Sequence, residues 1–586
     1  MGNFEKAKEY FRNIGLGVRN FHFFRIGKLP SLLASLSELE KKLLLAALAV
    51  LVVSGGFLIS QSYLNSTVPV PDFGGKYTEG LVGQPRFINP VLSPANNVDM
   101  DLSRIVYSGL LKFNNQQQLV PDLAESMPEL SGDQKQYTIK LRQDVLWHDG
   151  KPFTADDVIF TIKLIQDQSF QSPLRLNWNK VEVQKIDDYT VILKLKEPSA
   201  PFLTNLTQGI LPKHIWEGVE AAKFPLSKYN LQPIGTGPFM VKDLKKSEDG
   251  EIKSITLTAF EQYFLGRPYL DSLEFKFYKS YDELIASYHS KEIAGLGYIP
   301  FDKKVYVEKS SRINIFLLQL PQYQALFFNR NKSKVLADKN VRAALAQSIS
   351  RQEIIDEVYS GAASEARGPI PPGYLGYNPG VEQAHLYNIE NAKKLLADTG
   401  FKPVEGSSVL RKGEVDLEFT ITTNDFPLNI KTAEILKRQW EAIGFRINLN
   451  ILTIGELEQN FLRPRQYEAL LFSENIGPDP DLFAFWHSSQ RQDPGLNLAM
   501  FSNREADKLL EEARSNSDPK FREPRYRRFQ EILVEEVPAI FIVKSTYVYG
   551  VNTKIKGINL TNIVNQSERF LDVNKWYINT RRTFKR

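Results

Sequence analysis

Between Lys42 and Asp72 the sequence carries no charged residue. The first part of this stretch reads LLLAALAVLVVSGGFLIS, from Leu43 to Ser60. It supplies nearly all of the ~20 consecutive apolar residues that a helix needs to cross a bilayer. In lipid every backbone N–H and C=O must be satisfied within the segment, so a chain with such a stretch is driven to form a helix there. A cleavable signal peptide is the competing reading, but its apolar part is usually only ~7–15 residues long and lies close to the N-terminus. Here some forty residues precede it and no Ala-x-Ala site follows. An uncleaved single span over 43–63 is therefore expected.

Basic residues flank the span on one side: Arg12, Arg19, Arg25, Lys28, Lys41 and Lys42. Such asymmetry keeps that side cytoplasmic. Residues 1–42 read as a cytoplasmic basic segment, and the main body beyond the span is expected outside the membrane. Residues 4–24 interleave Phe and Tyr with Arg and Lys, as in FRNIGLGVRNFHFFR. They could lie on the inner membrane face or be a solvated tail. The stretch NSTVPVPDFGG, within 64–76, has Pro and Gly and no apolar period, and reads as a tether.

Composition excludes several classes of chemistry. The chain has no Cys, which rules out disulfides, thiolate nucleophiles, Cys-ligated zinc and an N-terminal lipidated Cys. Its six His stand at 22, 148, 214, 289, 385 and 487, none at His-x-x-x-His spacing, so no metal and no cofactor are expected. Of the formal net charge of +5, residues 1–42 hold +4 (eight basic, four acidic), which leaves +1 for the rest. A near-neutral body lacks the footprint of a nucleic-acid binder.

The body alternates strand and helix patterns. YTIKLR places Tyr137, Ile139 and Leu141 on one face; TVILKLK does so with Val191, Leu193 and Leu195; LEFKFY with Leu273, Phe275 and Phe277. Helical stripes follow: Val341, Ala344, Leu345 and Ile349; Leu395 and Leu396 between Asn388 and Gly400; Leu436, Trp440 and Ile443 before Gly444. The mixture predicts an α/β body without an internal repeat of fixed period.

The stretch WHDGKPFTADDVIFTIKLI, Trp147 to Ile165, puts a His and three Asp within ten residues. Catalysis or metal binding is one reading. The local chemistry argues for structure instead. Asp149-Gly150 and Pro152 make a turn. Thr154 and Asp157 stand at capping-box spacing, and Asp156 and Asp157 suit the positive end of a helix. Val158, Ile162 and Ile165 form its buried stripe.

The same stretch also carries a resemblance. Together with VPDLAESMPE, PIGTGPFMVKDL, LFFNRNKSKVLADKNVRAALAQSISRQEII, GPIPPGYLGYNP, GPDPDLFAFWHSS and the segment ADKLLEEARSNSDPKFREPRYRRFQEILVEEVPAIFI, it resembles family 5 of the extracytoplasmic solute-binding proteins. This is the peptide, dipeptide and nickel group of ABC importers. The matches span roughly 77–560 in the family's order. The resemblance implies an α/β, two-lobed periplasmic-binding-protein-like fold (class II) with an extra domain. Lobe I would comprise 77–113, 215–325 and 546–586, the extra domain 114–214, and lobe II 326–545. A solute would be enclosed between hinged lobes.

Family members pair the peptide's amine with an acid three positions before the Asp of an Asp-Pro-Asp motif, and commonly have a Trp three positions earlier still. Laid without gaps on LLFSENIGPDPDLF, this pattern puts Ile476 in the acid's place and Ser473 in the Trp's place. Glu474 and Phe472 are the nearby substitutes; Glu474 could equally be a solvated loop acid. Asp479 and Asp481 read as turn and cap residues. By position in the family, Asn96 in SPANNVD, Arg175 after QSP, Trp486 and Asn497 are further ligand-binding candidates, with core packing the alternative for Trp486 and the surface for Arg175.

The expected function is thus a membrane-anchored solute-binding component of an ABC importer. It would capture peptides for a permease, as a monomer. A cell-surface ligand sensor of the same fold and a binder of a non-peptide solute are the alternatives. An enzyme finds no support, since no nucleophile elbow, His-Glu-x-x-His or phosphate loop is present.

Overall fold

The computed structural model describes residues 37–309 and 312–585. The expectations for residues 1–36 lie outside these residues. The apolar stretch forms a helix, Glu38–Ser66, opened by Ser37 and a capping box with Glu40, with no buried residue. At 29 residues and ~1.5 Å per residue, it is long enough to cross a bilayer. The tether expectation needs correction. Thr67–Pro71 is a strand paired with Thr580–Phe584. Val68 and Val70 each precede a proline, Pro69 and Pro71, which an edge strand tolerates. The helix, Thr67–Val70 and Thr580–Phe584 belong to one compact unit, and residues 71–579 form another.

The second unit is organised by one eleven-stranded sheet. Its strands run in the order Arg446–Leu452, Glu418–Asn424, Ala469–Asn475, Ile313–Phe328, Ala539–Asn552, Gly295–Leu296, Lys76–Val82, Ser272–Tyr278, Ile252–Ala259 and Phe239–Lys246, with Ser364–Glu365 added to Ala539–Asn552. The two long strands in the middle belong to both lobes. Residues 313–319 pair with 546–552 on the first-lobe side, and 323–327 pair with 539–544 on the second-lobe side. Between them the register shifts, at Pro321 opposite Ser545. Proline cannot donate to a ladder, so a bulge is where a central strand can hold one. These two strands are the hinge-like connection between lobes.

Periodicity placed the cores well. Tyr137, Ile139, Val191, Leu193, Leu273 and Phe275 are all buried at 1% exposure or less. In the extra domain Gln136–Lys140 and Thr190–Leu195 lie in a four-stranded antiparallel sheet covered by helix Ala155–Gln166. Asp157 accepts the backbone N–H groups of Thr154 (2.9 Å) and Lys213 (2.8 Å), and His148 is clamped between the backbones of Gly235 and Gly237. Burial lowers the His148 pKa to about 4, so it is neutral near pH 7. Among the described residues no group of acids and His could hold a metal ion. In the second lobe, helix Pro427–Glu441 buries Leu436 and Trp440 and is followed by Gly444 at φ +100°, a left-handed position glycine adopts at low cost. The domain boundaries are less sharp than the sequence reading drew them. Leu284, Ile293, Leu296 and Phe301, assigned to lobe I, share an apolar cluster with Leu345, Leu436 and Trp440 of lobe II.

Candidate functional site

A cleft of about 860 Å³ opens between the extra domain and the second lobe. One wall is made by residues 176–181 and 195–205, the other by 476–483 and 511–515. Its size is in the range of small-molecule and peptide sites, ~300–1,000 Å³. The second-lobe wall grows out of strand Ala469–Asn475, which pairs with the hinge strand so that Glu474 lies opposite Tyr323. Where the strand ends, the Ile476 N–H donates to the Pro321 carbonyl at 2.9 Å, which fixes the wall to the hinge bulge.

Of the candidates drawn from sequence, Ile476 alone lines this cleft, with its side chain 4% exposed. Strand alternation turns Phe472 and Glu474 toward one apolar cluster and Ser473 to the other face. Glu474 is buried at 4% and accepts a hydrogen bond from the Tyr323 hydroxyl. Desolvation raises its pKa to about 8 despite that bond. The structure therefore puts Glu474 inside the wall, protonated near neutral pH, in place of a solvated loop. Trp486 is fully buried among Phe327, Phe501, Phe529 and Phe541. Asn497, also fully buried, donates to the carbonyls of Trp486, His487 and Phe501, which leaves no N–H for a solute. Asn96 caps helix Asn97–Val106 by accepting from Val98 N–H at 2.8 Å and donates to the Gln84 carbonyl. Arg175 begins a short helix and donates back to the Gln166 carbonyl at 3.1 Å, while its neighbours Leu176 and Asn177 line the cleft.

The residues that do face the cleft include Asp479 and Asp481, expected from sequence as turn and cap residues, and two lysines that the sequence does not single out. Asp479 lies in a turn and takes both ends of the Arg522 guanidinium, one at 2.6 Å, which anchors the wall to helix Pro519–Glu536. Asp481 meets Arg514 at 3.4 Å, and that guanidinium stacks over Phe483 at 4.6 Å. The Oδ1 of Asp481 is enclosed without a hydrogen-bond partner, and burial pushes the carboxyl pKa up. Opposite stand Lys180 and Lys196, exposed and without an ion-pair partner among the described residues. Lone lysines in a polar stretch give no signal of this in sequence. The cleft is bridged at one margin. Ala200 N–H donates to the Arg514 carbonyl at 2.9 Å, and Ser517 N–H to Gln134 Oε1 at 2.8 Å. Beyond that bridge a second groove of about 360 Å³ lies between Met127, Tyr137 and Leu203 on one side and Ser517 on the other.

Comparison with known proteins matches this architecture. The family model described as bacterial extracellular solute-binding proteins, family 5 (middle) matches residues 118–495. The oligopeptide-binding protein AppA of Bacillus subtilis is 30% identical over 517 residues, covering 86% of this chain and 93% of AppA. The dipeptide-binding protein of Escherichia coli is 29% identical, covering 81% of this chain and 90% of its own. The solved structure of B. subtilis AppA in complex with a nonapeptide superposes with a TM-score of 0.63 at 27% identity, covering 87% of this chain and all of that one (100%). The α/β architecture and the match over most of the chain agree: the chain belongs to family 5 of the bacterial extracellular solute-binding proteins.

Proposed function

We propose that this protein is a membrane-anchored, extracytoplasmic solute-binding component of an ABC importer that captures peptides and hands them to a permease. The observation that carries the reading is the charge layout of the 860 Å³ cleft: unpaired Lys180 and Lys196 on one wall and the unpartnered Asp481 oxygen on the other. An extended peptide presents a carboxylate at one end and an ammonium at the other. The lysines suit the first and Asp481 the second, through charge-assisted hydrogen bonds. Arg522 acts as a positioning residue by holding Asp479, two residues from Asp481. The helix Glu38–Ser66 supplies the anchor, with the basic N-terminal side inside.

Calorimetric titration of a peptide pool and of the same pool with acetylated N-termini tests the amine site. Acetylation is expected to weaken binding on the order of tenfold to a hundredfold, the size of a lost charge-assisted hydrogen bond. Asp481→Asn is expected to reproduce that loss, and Glu474→Gln to bind normally. A loss confined to Glu474→Gln would move the amine to the buried acid. Failure of both pools to bind would end the peptide reading.

A further inference from the structure

The chain returns to its membrane-spanning helix. Strand Thr580–Phe584 pairs with Thr67–Pro71, directly after the helix, and residues up to Val70 share one unit with it. The helix has no basic residue in its last turn, so its final carbonyls and the negative end of its dipole need an outside partner. The returning strand provides it. The Arg582 guanidinium donates to the carbonyls of Leu64 and Thr67, both at 2.9 Å, and to the Thr67 hydroxyl at 2.8 Å. The Lys585 N–H donates to the Ser66 carbonyl at 2.9 Å. Arg582 also lies 6.0 Å from the Tyr63 ring, which Phe584 meets edge-on at 6.5 Å.

The level of this cluster follows from the length of the span. Counting ~20 residues from Leu43 brings the hydrocarbon boundary to about Tyr63. Tyr63 and the aromatic and cationic residues beside it then fall where the outer headgroups lie. Phe584 is 72% exposed, and an aromatic ring at this level suits an interfacial layer. Arg582 and Phe584 share one face of the strand, while Arg581 and Lys585 lie on the other and are exposed. No acid occurs in 43–71 or 580–585 to neutralise them.

We propose that this strand is a second membrane contact, with Phe584 in the interfacial layer and Arg581 and Lys585 bound to the phosphates of anionic lipid headgroups. The inference goes beyond solute capture and rests on the helix being a membrane span. The chain has no Cys, so Thr580→Cys, at an exposed position, takes a single fluorophore. The labelled full-length protein is placed in nanodiscs of phosphatidylcholine, with or without phosphatidylglycerol, that carry a nitroxide on the lipid headgroup. Quenching is expected to be stronger in the phosphatidylglycerol discs and to weaken with salt. The added quenching should vanish in Arg581→Glu/Lys585→Glu, whose exposed sites leave the pairing intact. Equal quenching in both discs, or an unchanged preference in the double variant, would overturn the lipid contact. Carbonate extraction of liposomes holding the same protein separates the two claims. A chain that washes out fails as an anchor, whereas one that stays but shows equal quenching fails only the lipid contact.

Discussion

Glu474 shows how one residue can change meaning between sequence and fold. As text it is a polar residue near an Asp-Pro-Asp turn. In the fold it sits on the inward face of a strand against Tyr323. Its pKa of about 8 against an ordinary 4.5 has a sign that can be worked out. Between those values the folded protein keeps a proton that the unfolded chain releases. Unfolding free energy therefore falls as pH rises, by about 1.4 kcal/mol per pH unit from this group. The contribution is fully present below about 4.5 and is lost as pH passes about 8. Glu474→Gln cannot ionise, so urea denaturation should show a flatter decline over this window and a variant more stable than the parent at pH 9. Parallel curves for the two proteins would place the carboxyl in a wetter site than the structure gives it.

At the scale of elements, local rules carried far. Asp157 does satisfy the start of helix Ala155–Gln166, and the Asp-Gly-Lys-Pro turn precedes it as its residues require. What local rules could not reach is the bridge between the extra domain and the second lobe, because its partners are hundreds of residues apart. Gln134 and Ser517 are joined by one hydrogen bond across the cleft margin. A single neutral hydrogen bond contributes about 0.5–1.5 kcal/mol net. Gln134→Ala is therefore expected to speed peptide release by about twofold to tenfold with little change in association rate. Stopped-flow displacement measures both. Slower association with unchanged release would show that the bridge forms before the solute settles.

At the scale of the molecule, the segment around Arg569 packs on the strand and helix of residues 76–106 through a buried charge network. Arg569 pairs with Glu79 at 2.8 Å and with Asp101 at 2.6 Å, all three at 0–1% exposure. The hydroxyls of Tyr77 and Tyr549 also donate to Glu79. Removing the cation leaves two carboxylates buried and unpaired, and breaking such a pair costs about 3–5 kcal/mol. Arg569→Met should lower the urea midpoint accordingly while the cleft residues keep their contacts. A shift no larger than that of a surface substitution would mean that water reaches the network once the arginine is gone.

The sequence by itself determined the apolar span, the faces of the strands and helices, and the family. These depend on patterns a few residues long, or on ordered motifs, and the hydrophobic effect acts on them wherever they sit. Only the tertiary structure decided which side chains reach the cleft. Ser473, Glu474 and Ile476 are near neighbours in the chain, yet strand alternation and the hinge bulge send them to different surroundings. Asn96 and Asn497 are taken up by backbone partners, and the lysines opposite Asp481 come from segments some three hundred residues away. The pairing of residues 67–71 with 580–584 is of the same kind. A contact between distant segments is set by the packing of everything between them, and no short window of sequence contains that information.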